Sequence, residues 1–142
     1  MKLVIGSDHG GYELKEIIKK HLKDHYEIED VGTHSLESCD YPIYARKVAE
    51  IVVKENILGI AICTSGIGVS IVANKVIGAR AALVTNKEQA HLSREHNNAN
   101  VLCLGASNQS VEDAIEFVDI WLNSSFSNGE RHIRRVNLIE KR

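Results

Sequence analysis

The segment "AICTSGIGVSIVANK", Ala61 to Lys75, places Cys63 where an apolar run breaks into small polar residues around two glycines before apolar residues resume at another spacing. Thr64, Ser65, Gly66, Ile67 and Gly68, leading into a helix, would turn several free backbone N–H groups into one small volume. Such a nest holds an anion or a developing oxyanion. A thiol at that helix start sits at the positive end of the dipole, which favours the thiolate. Cys63 can therefore serve as a base or nucleophile; the alternative is a buried structural cysteine beside glycines that only turn the chain. A second polar loop, Ser7, Asp8, His9, Gly10 and Gly11, follows another short apolar run. His96, in "SREHNNAN", is a candidate general acid on the carboxyl-end side of the strands or near a neighbouring chain, or else an inert surface histidine. Arg131 and Arg135 are four apart and share a helix face, a clamp for phosphate or simply a solvated basic helix end. Arg134 would point elsewhere.

Spacing excludes several other chemistries. Gly66 and Gly68 are not followed by Lys-Ser/Thr, so no Walker loop is present. A cysteine phosphatase loop wants an arginine six residues after the cysteine, where this chain has Val69. His91 and His96 lack the i, i+4 spacing of a helical metal pair, and no Cys/His cluster has zinc-like spacing, so no metal and no cofactor are expected. A redox role for Cys63 lacks a C-x-x-C partner. Cys39 and Cys103 have no comparable neighbours and read as structural.

The elements that must position these residues follow from hydrophobic periodicity. Lys2 to Ser7 is a β-branched run, after which Leu14, Ile17, Ile18, His21 and Leu22 recur at helical spacing. The unit repeats with strands at 27–31, 59–63, 81–84 and 101–104, each followed by a helical pattern. Uninterrupted apolar strands are those of a parallel sheet covered on both faces. The expectation is one α/β domain over 1–142, a three-layer α/β/α Rossmann-like sandwich with a five-stranded parallel sheet. Ile133, Val136 and Leu138 to Ile139, after Gly129, mark a C-terminal helix, loosely attached or shared with a partner chain. In open parallel sheets ligands bind beyond the carboxyl ends of the strands, and the loops after strands one and three should share one edge.

The 142 residues carry a formal net charge of -2 with 44% hydrophobic and 25% charged residues, which suits one compact domain. This balance provides no clustered basic surface for nucleic acid or an anionic membrane. The opening apolar run is too short for a signal-peptide core, and no stretch approaches a membrane span of ~20 residues. With three cysteines, an odd number spaced far apart, a reducing cytoplasmic setting is expected.

Taken together, "GSDHGGYELK", "DYP", "ICTSGIGVSIVANK", "LSREHNNANVLCLG" and "GERHIRRV" resemble the ribose-5-phosphate isomerase B family, which also includes allose- and galactose-6-phosphate isomerases. The match runs along nearly the whole chain. The resemblance implies an enzyme that interconverts ribose 5-phosphate and ribulose 5-phosphate through a cis-enediolate without metal, in the pentose phosphate pathway. It also implies a homodimer or homotetramer with active sites shared between chains. Cys63 matches the base that moves the proton between C1 and C2, and Thr64 to Gly68 match the loop that holds the enediolate. His96 matches the ring-opening acid and Asn97 a substrate contact beside it. Asp8 and His9 match substrate-contacting positions, Arg131 and Arg135 the phosphate-binding arginines, and Tyr41 a tyrosine that lines the pocket in some members.

The chemistry explains this set: a carbon acid beside a carbonyl needs an ionised base and preorganised donors, while ring opening needs its own acid-base group. One departure stands out, Ser107, where many members carry an arginine that contacts phosphate. In the galactose-6-phosphate relatives the catalytic positions are divided between two different subunits. This chain carries both Cys63 and His96, which favours a self-sufficient homo-oligomer. Alternatives are an allose- or galactose-6-phosphate isomerase and, in another class, a non-catalytic sugar-phosphate sensor.

Overall fold

In a computed structural model that describes residues 1–141, five strands, β1 (Lys2–Ser7), β2 (Glu27–Asp30), β3 (Leu58–Cys63), β4 (Ala81–Leu83) and β5 (Val101–Gly105), form one sheet. Their order is β2-β1-β3-β5-β4 and every pair is parallel. The connecting helices are α1 (Tyr12–Leu22), α2 (Tyr41–Glu55), α3 (Ile67–Ala73), α4 (Lys87–Glu95) and α5 (Val111–Asn123), and α6 (Glu130–Glu140) closes the chain. The strand and helix succession matches the sequence reading, with strand ends shifted by one residue at β2, β3, β4 and β5.

Alternation along each strand sends successive side chains to opposite faces, and both faces are covered. Leu3, Ile5, Ile60, Ile62, Leu102 and Leu104 meet α1, α4 and α5 through Leu14, Ile18, Ala90, Phe117, Val118 and Trp121. Val4, Ala61, Cys63, Val101 and Cys103 meet α2 and α3 through Ala45, Val48, Val52, Val69 and Val72. Gly59 permits the close approach of α2, since a Cβ there would lie 2.6 Å from Val52 and 2.8 Å from Val48.

Local chemistry sets where the helices start. The Asn86 side chain accepts from the Gln89 N–H at 2.8 Å to open α4, and the Ser110 hydroxyl accepts from the Asp113 N–H at 3.1 Å to open α5. Pro42 stands in the first turn of α2, and Asn56 ends that helix in the left-handed region at φ 54°. By contrast α6 buries only Val136, while Ile133, Leu138 and Ile139 remain exposed. That exposure fits both expectations for the tail helix, loose attachment or a face shared with a partner chain. None of the helices among the described residues is long and apolar enough to cross a membrane.

Candidate active site

Strands β1 and β3 are neighbours in the sheet although β2 lies between them in sequence, so the chain leaves them toward opposite sides. This is the switch point of an open α/β sheet, where a crevice forms beyond the carboxyl ends. The loops after β1 and β3 share that edge as expected. The Asp8 N–H donates to Ile62 O at 3.2 Å, and a Cβ on Gly10 would lie 2.2 Å from Thr64 Oγ1. The two loops therefore interlock at Gly10, where an added side chain would have to displace the Thr64 hydroxyl.

Cys63 ends β3 with 5% of its surface exposed. The Gly66 N–H donates to its Sγ at 3.2 Å, and Gly66 itself sits at φ 78°, a conformation glycine reaches without strain. Among the described residues the N–H groups of Thr64, Ser65 and Gly68 have no protein acceptor. They are the free donors that an anion nest at this turn requires. Tyr41, the first residue of α2, packs its ring on Gly68, where a Cβ would lie 2.4 Å from the ring.

Asp8 is 6% exposed and caps a short 3-10 turn, its carboxylate accepting from the Gly11 N–H at 3.1 Å. His9 beside it accepts at Nδ1 from the Cys39 N–H at 3.2 Å. In the neutral ring the proton then resides on Nε2, which is left free to donate. Cys39 thus has a role at this loop that its isolation in sequence concealed. Cys103 is the core residue it was expected to be: burial, and then the neighbouring Cys63, push its thiol far above the ordinary range.

The β1 loop has a further support. Gly32 O accepts from the Ser7 N–H at 2.6 Å and Ser7 O accepts from the Thr33 N–H at 2.6 Å. Asp30 accepts from the Gly32 N–H at 2.8 Å and pairs with the fully buried Lys15 and with Lys19. Burial opposes ionisation of Asp30, but both ammonium groups and the Gly32 N–H outweigh it and hold the carboxyl below the usual carboxylate range. The sequence signal was "YELK", which places a lysine on the inward face of an amphipathic helix.

His96 lies elsewhere, and one of the two placements expected for it is corrected. It caps the carboxyl end of α4, its N–H donating to Leu92 O at 2.8 Å. Four residues on, Asn100 O accepts from the N–H of Gly59 near the start of β3. A helix that follows a parallel strand returns to the amino ends of the sheet, so His96 and the exposed Asn97 stand at the edge opposite Cys63. Ser127 N–H donates to Glu95 O at 3.0 Å, which brings α6 to that same end. The rings of His96 and His132 stack there, 4.3 Å apart and 7° from parallel.

Arg131 and Arg135 line one polar cavity with Gly129, Glu130, His132 and Arg134. The chain therefore carries two polar clusters at opposite ends of its sheet: thiol, turn N–H groups, Asp8 and His9 at one, and His96, Asn97 and the arginines at the other. Among the described residues no group of three His, Cys, Asp or Glu side chains is arranged to hold a metal ion.

Known proteins share this fold over nearly the whole chain. The chain is 43% identical over 140 residues to ribose-5-phosphate isomerase B of Escherichia coli, covering 97% of this chain and 93% of that protein. It superposes on the Clostridium thermocellum ribose-5-phosphate isomerase B with a TM-score of 0.96 at 51% identity, covering 99% and 95% of the two chains. The Mycoplasma genitalium ribose-5-phosphate isomerase B, solved with bound ribulose-5-phosphate, superposes with a TM-score of 0.94 at 43% identity over 98% and 93%. With residues 3–139 matching the ribose/galactose isomerase family, the chain belongs to that family.

Proposed function

We propose that this protein is an aldose-ketose isomerase that interconverts ribose 5-phosphate and ribulose 5-phosphate, with each active site assembled from two copies of the chain. The observation that carries the reaction type is the Cys63 thiol beside the Thr64 to Gly68 nest, next to Asp8 and His9. The substrate follows from the 43% identity to a relative that holds ribulose-5-phosphate.

His96 of a second copy, with Asn97 beside it contacting the sugar, donates a proton to the ring oxygen while Asp8 accepts the proton of the anomeric hydroxyl, opening the furanose. Cys63, as thiolate, removes the proton from C2 of the open aldose. The electron pair moves to the carbonyl and gives a cis-enediolate whose oxygens face the N–H groups of the nest. Each such donor supplies on the order of 3 kcal/mol toward the transition state. The proton held on Sγ returns to C1, a proton passes between O1 and O2, and the ketose results. His9 Nε2 and the guanidinium groups of Arg131 and Arg135 from the second copy take the phosphate, a charge-assisted and bidentate interaction.

Two observations support the shared site. Cys63 and His96 stand at opposite ends of one sheet, and the apolar Ile67 and Ile71 on α3 and Leu138 and Ile139 on α6 are 54–59% exposed. A symmetric partner would cover them. The three unpaired cysteines suit a cytoplasmic setting.

The test is conversion of ribose 5-phosphate in deuterated water with a chelator present, side by side with the allose and galactose 6-phosphates. Ribose turnover with deuterium entering C1 or C2, abolished by Cys63→Ala, is the expected result. Binding without exchange would favour a sensor, and faster turnover of a hexose phosphate would reassign the substrate.

A further inference from the structure

The nest is aimed by a neighbouring loop. Three consecutive carbonyls of the β3–α3 turn are each claimed by a donor from the segment after β5. Ala106 N–H donates to Cys63 O at 2.9 Å, and both the N–H and the hydroxyl of Ser107 donate to Thr64 O, at 3.0 and 2.8 Å. The Asn108 side-chain amide donates to Ser65 O at 2.9 Å. In a trans peptide the C=O of one residue and the N–H of the next point in opposite directions. Holding the carbonyls of Cys63, Thr64 and Ser65 toward the β5 loop therefore turns the N–H groups of Thr64, Ser65 and Gly66 away from it. The Gly66 N–H lands on Cys63 Sγ at 3.2 Å, and those of Thr64 and Ser65 stay free for a ligand.

The loop that makes this contact is itself held tightly. The Gln109 side-chain amide donates to Gly105 O at 2.8 Å, Asn108 N–H donates to the same oxygen at 3.1 Å, and a Cβ on Gly105 would lie 2.4 Å from Ser65 C and O. Two of the clamps come from side chains, so a substitution can remove them without altering the backbone course. One of them, Ser107, occupies the position where the family resemblance led us to expect a phosphate-binding arginine. Its hydroxyl turns inward to the turn's backbone instead.

We infer that Ser107 and Asn108 are positioning residues for the isomerisation step: they orient the Ser65 and Gly66 peptide groups so that one donor meets the enediolate and the other the Cys63 thiolate. This rests on the isomerase reading above. An interaction that matters only once negative charge has developed acts on kcat and leaves substrate binding alone. Releasing the Asn108 clamp misdirects a donor without deleting it, so the expected loss lies below that of a deleted oxyanion donor, about ten- to a hundredfold in kcat, whereas Ser107→Ala keeps the Ser107 N–H on Thr64 O and loses less.

The experiment compares Ser107→Ala, Asn108→Ala and the hydroxyl-retaining Ser107→Thr with the unaltered protein, all checked for equal melting temperature. Expected for each alanine variant are the lowered kcat, a KM and an inhibition by inorganic phosphate within about twofold of the parent, and recovery of most of the rate in Ser107→Thr. A four-carbon phosphorylated hydroxamic acid, whose planar pair of oxygens copies the enediolate, should bind more weakly by the same factor as kcat falls. Unchanged kcat in both alanine variants overturns the inference, as does a loss of phosphate and analogue binding in equal measure, which would mark a general disturbance of the pocket. If the unaltered protein itself shows no isomerisation, the isomerase reading falls and this inference with it; an active parent with unaffected variants removes the inference alone.

Discussion

Mixing two inactive variants should restore activity. Strand β3 runs six residues from Leu58 to Cys63, a path of about 17 Å at the usual strand rise. His96 stands at the Leu58 end and the thiol at the other. A general acid must come within roughly 3 Å of the atom it protonates, so the two groups of one chain cannot serve one sugar. In a symmetric pair, Cys63→Ala mixed with His96→Ala in equal amounts gives half of the pairs as hybrids. Each hybrid joins the intact thiol of one chain to the intact histidine of the other at one of its two sites. The mixture should thus reach about a quarter of the parent rate, where either variant alone is lower by orders of magnitude. Co-expression followed by a steady-state isomerase assay measures it, with sedimentation to confirm assembly. A co-assembled mixture no more active than its components, or full activity in His96→Ala alone, would refute the shared site.

Other perturbations test separate parts of the structure. Gly105→Ala forces a Cβ to within 2.4 Å of the Ser65 backbone, which cannot yield as a flexible side chain could; thermal unfolding should show a loss of about 1–3 kcal/mol, together with reduced kcat. Loss of water around the stacked rings, followed by the charges of His96, Arg135 and Arg131 and opposed by Glu95, lowers the His132 pKa. The folded state then resists a proton that the unfolded chain takes up below about pH 6.5, so stability falls as pH drops through that value. His132→Phe, which keeps the stack without the titration, should show a smaller fall in melting temperature between about pH 7.5 and 5.5, and an equal fall would contradict the cause assigned. Thiol reactivity should follow exposure: Cys39, partly exposed, reacts with iodoacetamide in the native protein, whereas Cys103, at 0% exposure and with its thiol held protonated by burial, reacts only after unfolding. Mass spectrometry of the alkylated peptides reads both.

Much of the thiol half of the site was legible in the order of residues, because its parts are local. Cys63 and Thr64 to Gly68 are contiguous, and a strand, glycines and a helix in succession suffice to predict a nest. Asp8 and His9 stand at the matching point of the first repeat, so the rule that ligands bind at carboxyl ends brought the two loops together. The contacts that hold these loops were less legible. Cys39 meets His9 across thirty residues, and Asn108 meets Ser65 across forty-three. Neither pair has a spacing that could announce it.

His96 shows the limit most clearly. Its helix and the strand after it could be read from periodicity, yet which end of the sheet the intervening turn occupies depends on the direction in which α4 runs back across the sheet. Local pattern determined that this chain is a parallel α/β sandwich with a thiol at an anion nest, since strand runs, helical spacing and glycine turns are short-range properties. Only the tertiary structure decided that the histidine and arginines stand at the far edge, because the packing of α4 and α6 against the sheet sets that distance. The proposed reaction, which uses both edges, is what would call for a second copy of the chain.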